Sequence, residues 1–597
     1  MGIRNLQTFV ENDCPGAFYD VDIGELARAA VYQGIEPVII VDAYNIVGHL
    51  YRQLDWVSGG QFREFTEHLA QFIQGFSSLG IKLIFVGDGS CQTDKRDEWI
   101  KRRYERLEKI VYPVYDALKR AQFPDFLEGL IPMVLITTQL KYIFHQDVRT
   151  SLREADEEIS ELARDHRAIG ILAQDSDYLI YRSNTTYLSM NELNWVTMKT
   201  KAYDPRQLAH TLNIQDSQLP LLALLAGNDV VNAQRLHRNT RGKNRFWPIC
   251  DFIRDNGFSQ DFKGQLDDLN WVARDVFQDE SLIPLLQRSL RQYWLRTVDI
   301  QLSRSSSQRD ANWDEIIELF RADYISNISP KMFPVMIGKP YESCTAMEDY
   351  RESYLIPPAG LLWESTRQRV YGILLKEKPG AVVDNEFVIK VDEWVMNGPQ
   401  TIDSVCQVSP VMPDQHPGLL TLHTRHTDAV QEERLRLLAW CVDPRLDPQL
   451  LTDLTPGEIC LLTNLYKMQW ERESPVLEDW EVRVFILQFY CLEEWTGRDR
   501  RGLTRVLPNP RGLHLATLYT RSFMPNIVDA VGRPFSLGHT LLNDQLDGKL
   551  FQNVYNQAAF SADWRAGRMR PLIGQFIVQN IAETENKIFK IRERIQR

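Results

Sequence analysis

Short apolar runs and amphipathic stretches alternate along the first half of this chain. Residues 37–41 (PVIIV), 82–86 (KLIFV) and 169–173 (IGILA) are almost entirely apolar, as strands buried on both faces of a parallel sheet are. Residues 62–76, between the first two runs, place apolar side chains at helical spacing. This alternation predicts an α/β sheet with right-handed crossover connections.

Helical patterns dominate the rest of the chain. Residues 94–141 are first highly charged and then apolar, which predicts a helical insertion placed like a lid or arch, and residues 234–301 predict further helices. Residues 303–310 (SRSSSQRD) are small and polar, as linkers are. Beyond them, residues 455–458 (TPGE) carry the signals of a helix start, and residues 387–395 (FVIKVDEWV) predict a short strand.

Composition narrows the class of protein. The chain is 44% hydrophobic and 25% charged, which is typical of globular protein. Its 597 residues are enough for about two to four domains. Eight cysteines without a CxxC pair exclude a disulfide framework and a zinc ribbon. No apolar run approaches a membrane span, and the chain start lacks a signal-peptide core. We therefore expect an intracellular protein without membrane contact. Of the two intracellular locations, we expect the nucleus rather than the cytoplasm.

Acidic side chains recur at the ends of predicted strands and helices, where they could bind metal. They are Asp42 and Asp88 after the first two predicted strands, Glu154 and Asp156 at a helix start, Asp175 and Asp177 after the third strand, and Asp229 at the end of an apolar helix. Carboxyl ends of parallel strands share one edge of a sheet, so we expect these side chains to converge. Converging carboxylates repel unless cations neutralise them. Oxygen ligands without His or Cys favour Mg²⁺ or Mn²⁺ over zinc.

Two reservations apply to this set. An aspartate after a strand is, taken alone, more often a turn former or a helix cap than a ligand. Glu154 and Asp156 are two residues apart, and on a regular helix they would face different sides. Glu157 and Glu158 are therefore alternatives for the same role.

Several motifs resemble one nuclease superfamily. MGIRNLQTFVE at the start, FVGDG at 85–89, EAD at 154–156, DSD at 175–177 and AGND at 226–229 are similar to the XPG/flap endonuclease superfamily. Within it, READEE, AQDSDYLIY, LLAGNDVVN and the later RQRVYGILL resemble the Asteroid family. DWVSGGQ at 55–61 resembles the constitutive coactivators of PPAR-gamma, a branch that has lost acidic site residues, whereas this chain keeps all seven.

The resemblance implies an α/β fold class. It predicts a PIN-like parallel-sheet nuclease domain over residues 1–235, with a helical arch insertion at about 94–141 and an I-region at about 142–235. A helical extension over 236–302 and a mainly α-helical C-terminal region over 311–597 would follow. Protein–protein contact, or support of the nuclease domain as an added layer, is the expected role of that last region.

Site roles follow from the resemblance residue by residue. It implies that all seven acids hold metal, two ions of Mg²⁺ or Mn²⁺, and that Lys95 and Arg102 form the catalytic basic pair at the scissile phosphate. Lys95 and Arg102 are seven residues apart, which is two helical turns, so both can face the same way. Three features depart from the family pattern. Gly87 replaces an aromatic residue, Asp156 is one methylene shorter than the usual Glu, and a helix–two-turn–helix is not visible after Asp229.

A basic run stands where that duplex-gripping motif is expected. The chain as a whole has a net charge of −12, so any nucleic-acid contact must use local patches. We predict that the residues that bind nucleic acid are Arg103 in the arch and Arg235, Arg238, Arg241, Lys243 and Arg245 in the run. The alternative for the arch stretch, which includes Lys95 and Arg102, is a solvated charged helix, and the alternative for the run is a solvated loop.

Two functions are compatible with these features. The first is a structure-selective DNA endonuclease that cuts single-stranded or overhang-containing substrates by two-metal hydrolysis, with RNA left open as a substrate. The second is a catalytically weak or inactive PIN-like scaffold or coregulator that binds RNA, DNA or protein. Its support is the DWVSGGQ segment, the altered residues at 87 and 156 and the large C-terminal region.

Overall fold

The computed structural model describes most of the chain as two compact units. The described residues are 2–124, 136–228, 245–256, 266–295, 310–328, 332–343, 347–352, 355–396, 406–469, 475–494, 502–561 and 581–596. The first unit comprises residues 1–49, 69–99 and 145–305, and the second comprises 50–68, 100–144 and 306–597. The domain boundaries expected at residues 235, 302 and 311 stay a prediction.

A seven-stranded sheet organises the first unit. Its strands are β1 (Phe18–Asp22), β2 (Val38–Asp42), β3 (Lys82–Gly87), β4 (Asp147–Thr150), β5 (Gly170–Ala173), β6 (Tyr187–Ser189) and β7 (Lys199–Tyr203). Their order is β1-β7-β6-β5-β2-β3-β4. The pairs β6·β5, β5·β2, β2·β3 and β3·β4 are parallel, whereas β7 is antiparallel to both β6 and β1. The expected mainly parallel α/β fold is therefore confirmed.

The apolar runs became the central strands because both faces of the sheet are covered. Residues 38–41 of β2, 83–87 of β3 and all of β5 are buried. The register pairs Asp42 with Val86 across β2 and β3, and Val41 with Leu172 across β2 and β5. The ends of these three strands are thus level, and the residues that follow them emerge at one edge.

The helices have the following bounds. They are α1 (Leu6–Asp13), α2 (Ile23–Tyr32), α3 (Ala43–Leu50), α4 (Phe62–Ser78), α5 (Arg96–Arg106), α6 (Tyr112–Lys119), α7 (Ile136–Tyr142), α8 (Ala155–Asp165), α9 (Pro205–Thr211), α10 (Leu219–Ala226), α11 (Phe246–Asp255), α12 (Leu266–Trp271), α13 (Ile283–Arg291), α14 (Ala311–Ile325), α15 (Phe333–Met336), α16 (Ala359–Leu362), α17 (Glu364–Leu375), α18 (Leu419–Thr424), α19 (Asp428–Val442), α20 (Pro456–Gln469), α21 (Asp479–Glu494), α22 (Pro510–Thr520), α23 (Met524–Ala530), α24 (Gly548–Phe560) and α25 (Ile581–Gln596). Among these described helices, none has the length and apolar character needed to cross a membrane.

The second unit is mainly helical, as predicted. Its strands are short: β8 (Tyr341–Glu342), β11 (Val391–Trp394) and β12 (Cys406–Val408) form one sheet, and β9 (Val382–Val383) pairs with β10 (Glu386–Phe387). The strand expected over residues 387–395 corresponds to β11. The predicted helix start is also confirmed, because α20 begins at Pro456 and the hydroxyl of Thr455 donates to Glu458 at 2.9 Å.

Candidate acidic site

Three strand ends supply acids to the edge of the parallel sheet. Asp42 is the last residue of β2, and Asp88 follows β3 directly. The N–H groups of Tyr44 and Asn45 donate to Oδ1 of Asp42 at 3.0 and 3.2 Å, so the carboxylate also starts α3. Asp175 follows β5 and accepts the N–H of Asp177 at 3.0 Å. These local hydrogen bonds fix the acids close to the backbone at one edge.

The start of α8 adds Asp156 to this group. The hydroxyl of Tyr178 donates to Oδ1 of Asp156 at 2.7 Å, which links α8 to the turn after β5. Glu154 precedes the helix as its N-cap residue. Its carboxylate forms an ion pair with Lys95 at 2.7 Å. The two acids of the EAD motif therefore differ in their partners.

The two alternative acids of the same helix are held by Arg153. Glu157 forms an ion pair with the Arg153 guanidinium. Glu158 accepts the backbone N–H groups of Leu152 and Arg153 at 3.0 and 2.8 Å. Of the acids in this first turn, Asp156 is thus the one with aspartates as its electrostatic neighbours.

Burial and like charge raise the pKa values of Asp42 and Asp156. Loss of water is the largest effect on Asp42, followed by Asp88, and together they raise its pKa to about 7 although Asn45 opposes the shift. Burial likewise raises the pKa of Asp156 well above its usual range, followed by the charges of Asp175, Asp42 and Asp177. Since charges affect each other strongly only at short range, these acids lie close together.

The N-terminal segment also contacts the turn formed by Asp175, Ser176 and Asp177, the acidic turn. Gly2 has φ +61°, and a Cβ added there would lie 2.8 Å from Oδ1 of Asp177 and collide with Asp175. The hydroxyl of Ser176 donates to the carbonyl of Ile3 at 3.2 Å. Glycine is therefore needed at position 2 both for its backbone conformation and for space beside the acids.

The predicted basic residues have separate surroundings. Lys95 pairs with Glu154, as described above. Arg102 and Arg103 are partly buried on α5, within the second unit. Arg245 is 8% exposed, lies over the Phe246 ring and donates to the carbonyl of Arg4 at 2.7 Å. Their catalytic and nucleic-acid-binding roles stay predictions.

Part of the predicted set lies outside the described residues. These positions are Asp229, Arg235, Arg238, Arg241 and Lys243. The predicted metal-binding role of Asp229 and the predicted basic run therefore remain expectations from the sequence.

The donor atoms of the site suit a hard divalent cation, because they are carboxylate oxygens. Binding of such an ion would be favourable because it relieves the repulsion between the carboxylates. Within the described residues, however, no three His, Cys, Asp or Glu side chains are arranged as a ready-made metal site. The chemistry of the donor atoms fits Mg²⁺ or Mn²⁺.

The sequence did not point to Tyr178 or Gly2 as site residues. Tyr178 contacts Asp156 across 22 residues of sequence, and this contact depends on how the turn packs on α8. Gly2 belongs to the MGIRN segment at the start of the chain. The resemblance of this segment to the superfamily could have indicated that Gly2 lies at the site.

Residues 147–229 match the XPG I-region family model. This stretch begins with β4 and contains five of the seven predicted acids, the last of which is Asp229. The resemblance to the XPG/flap endonuclease superfamily is therefore confirmed for this part of the chain.

Curated relatives represent both branches that the sequence resembles. The chain is 26% identical over 655 residues to the constitutive coactivator of peroxisome proliferator-activated receptor gamma from Bos taurus, covering 94% of this chain and 91% of that protein. Proteins of that name from Homo sapiens and Mus musculus are matched over 26% and 30% of their length. The single-strand DNA endonuclease ASTE1 from Homo sapiens is 27% identical over 246 residues, covering 39% of this chain and 34% of that protein.

Solved structures of nucleases are also similar at low scores. Flap endonuclease-1 from Methanococcus jannaschii is 13% identical, with 48% of this chain and 96% of that chain covered and a TM-score of 0.27. At this score the similarity carries no argument of its own. The fold assignment rests on the sheet order of the first unit.

Proposed function

We propose that this protein is a divalent-metal-dependent nuclease that hydrolyses phosphodiester bonds in single-stranded or overhang-containing DNA. The observation that carries the proposal is the gathering of five aspartates at one edge of the sheet, namely Asp42, Asp88, Asp156, Asp175 and Asp177. Burial first, and the neighbouring negative charges second, raise the pKa values of Asp42 and Asp156. A site of this kind gains stability when a cation neutralises it.

The proposed cofactor is a pair of Mg²⁺ or Mn²⁺ ions. When bound, such ions make an attacking water more acidic and stabilise the leaving oxygen of the phosphodiester. Asp42 and Asp156 would hold them, assisted by Asp175 and Asp177. Lys95 neutralises Glu154 and so keeps one further negative charge from repelling the phosphate.

The substrate proposal has two supports. The matched relative ASTE1 is named a single-strand DNA endonuclease, and the chain matches the XPG I-region over residues 147–229. The basic run over residues 235–245 would act as a phosphate clamp. The proposed substrates are thus single strands and overhangs and not long duplexes.

Cleavage assays with matched variants test this proposal. Purified full-length protein is incubated with labelled single-stranded, overhang, flap and duplex DNA, with Mg²⁺, Mn²⁺ or EDTA. We expect metal-dependent cleavage that Asp175→Asn reduces by at least about a hundredfold, because several kcal/mol of transition-state stabilisation is lost. Asp165→Asn, at the far end of α8 and 61% exposed, is the control and should cleave normally.

A catalytically weak or inactive scaffold is the second candidate. The match to the bovine coactivator over 94% of this chain favours it. It predicts protein or nucleic-acid partners, some of them through the helical second unit, and a nuclear location. In cells, a double variant Asp42→Asn/Asp177→Asn should then retain full function, and a clear loss of function would exclude this candidate.

A further inference from the structure

Tyr178 connects the acidic turn to α8. It belongs to a short 3-10 helix over Ser176–Leu179, directly after Asp175. Its side chain is completely buried, and its hydroxyl donates to Oδ1 of Asp156 at 2.7 Å. Tyr178 is thus a buried neutral donor in contact with one of the crowded acids.

Ring packing fixes the position of this hydroxyl. The Tyr178 ring centroid lies 5.9 Å from that of Tyr187 and 6.3 Å from that of Tyr181. Tyr187 in turn stacks on Tyr203 at 5.2 Å. Because all four rings are at most 4% exposed, the Tyr178 ring has no room to turn away from Asp156.

The hydrogen bond restricts the Asp156 carboxylate in turn. Asp156 lies in the first turn of α8, where its side chain has several staggered orientations available. Among the described residues, Oδ1 is the oxygen of Asp156 that accepts a hydrogen bond. A carboxylate held by one oxygen in this way can still offer the other to a cation.

We propose that Tyr178 is a positioning residue that orients the Asp156 carboxylate for a divalent cation. This inference rests on the proposed function, because it assumes that the acidic site binds such an ion. Tyr178 acts through Asp156 and contacts neither substrate nor cation. A fixed ligand needs less reorganisation on binding, so removing the hydroxyl should weaken metal affinity more than it weakens the fold.

Tyr187 provides a matched control. Its ring is buried in the same layer, and within the described residues its hydroxyl has no hydrogen-bond partner. Tyr178→Phe and Tyr187→Phe therefore remove the same atom from adjacent buried rings. The two variants differ in whether that atom holds an acid of the site.

The test is calorimetric titration of the full-length protein with Mn²⁺ in the absence of nucleic acid. We expect Tyr178→Phe to bind Mn²⁺ about tenfold more weakly than native protein, which equals about 1.4 kcal/mol. Tyr187→Phe should remain within about twofold of native protein, as expected for a hydroxyl without a partner. Equal affinities for the two variants would overturn the proposal.

A second pair of variants separates positioning from a general loss of structure. In an Asp156→Asn background, adding Tyr178→Phe should cause no further loss of Mn²⁺ affinity, because its route of action is already removed. A further drop would mean that Tyr178 acts elsewhere, against the proposal. If native protein binds no Mn²⁺, the proposed function fails and this inference with it. If native protein binds Mn²⁺ and Tyr178→Phe binds it equally well, only the positioning role fails.

Discussion

In the second unit, buried carboxylates lie against cations, whereas in the first unit the crowded aspartates have one another as electrostatic neighbours. Glu393 is completely buried and receives two hydrogen bonds from Arg367, at 2.7 and 2.9 Å. Glu481 is held in the same way by Arg511, with both bonds at 2.8 Å. Such carboxylates belong to structural ion pairs.

Tyrosine contacts make the comparison sharper. Tyr371 donates to Glu393 and Tyr555 donates to Glu481, each at 2.6 Å. Tyr178 donates to Asp156 at 2.7 Å in much the same way. The second unit adds an arginine to each contact, and for Asp156 the described residues show no such cation. A hydroxyl orients a carboxylate but does not neutralise it, so the charge of Asp156 would be available to the proposed cation.

The pKa values of Asp349 and Asp156 follow this difference. Burial alone would raise the pKa of Asp349 in the second unit, but hydrogen bonds from Arg351 and Lys119 outweigh burial and lower it. For Asp156 burial and the neighbouring aspartates act in the same direction and raise it. An acid paired with its own cation, such as Asp349, is thus a stability feature, whereas acids that raise one another's pKa values, as those around Asp156 do, mark a candidate site.

Removing a cation from the second unit should give the largest effect. Arg367→Leu leaves Glu393 buried without a counter-charge, so we expect a loss of about 3–5 kcal/mol in the free energy of unfolding. Urea unfolding, followed by hydrogen exchange in α17, measures it. The double variant Arg367→Leu/Glu393→Leu removes both charges and should recover most of the loss.

The first unit should respond in the opposite direction. In metal-free buffer, Asp42→Asn removes one of several repelling charges, so its stability should be equal to or above that of native protein. A loss comparable to that of Arg367→Leu would show that the acids of the first unit are also compensated structurally. The contrast between the units would then be wrong.

Added metal should stabilise the first unit. At a free Mn²⁺ concentration of 100 Kd, binding stabilises the folded state by about 2.7 kcal/mol, which slows exchange of the protected amides by about a hundredfold. Hydrogen exchange mass spectrometry should show this slowing in β2 and α8 and little change in α17 and α21. Asp175→Asn is the control and should abolish the slowing. Equal protection of all four elements would indicate nonspecific binding.

Acid should weaken the second unit through a buried histidine. His514 is 3% exposed, and burial, the largest effect, lowers its pKa to about 4, against a smaller opposing effect of Asp349. The folded state keeps this imidazole neutral, while the unfolded chain takes up a proton below about pH 6.5. The contribution to stability is therefore complete above pH 6.5 and is lost as the pH falls towards 4, by about 2 kcal/mol between pH 6.5 and 5.

Hydrogen exchange in α22 at both pH values, corrected for the intrinsic rate, measures this loss. His514→Phe should make the stability of α22 less dependent on pH, and His426→Phe, at an exposed position, should leave the dependence unchanged.

The first unit should respond to pH with the opposite sign. Burial and Asp88 raise the pKa of Asp42 to about 7, so protonated Asp42 contributes to the stability of the folded state at low pH. This contribution is present below about pH 4 and is lost as the pH rises through 7. A uniform acid response in both units would contradict these signs.

The sequence predicted the positions of the strand-end acids because the apolar run that forms each strand and the aspartate that follows it are adjacent in sequence. The apolar runs became β2, β3 and β5, and Asp42, Asp88 and Asp175 lie at or just after the ends of these strands. The partners of the α8 acids were not predictable in this way. Lys95 meets Glu154 across 59 residues and Tyr178 meets Asp156 across 22, and such contacts depend on tertiary packing rather than on periodicity. The antiparallel strands β1 and β7 contain several polar residues, so no continuous apolar run indicated them.

Gly2 offers the smallest test of the same contrast. A methyl group there would collide with Asp175 and lie 2.8 Å from Asp177, so Gly2→Ala should displace the acidic turn and weaken Mn²⁺ binding by about tenfold, or about 1.4 kcal/mol. Gly34 also has a positive φ, +72°, but open space around the added atom. Gly34→Ala therefore carries the backbone strain without the collision and should leave Mn²⁺ binding unchanged. Equal losses in both variants would attribute the effect to strain and remove Gly2 from the site.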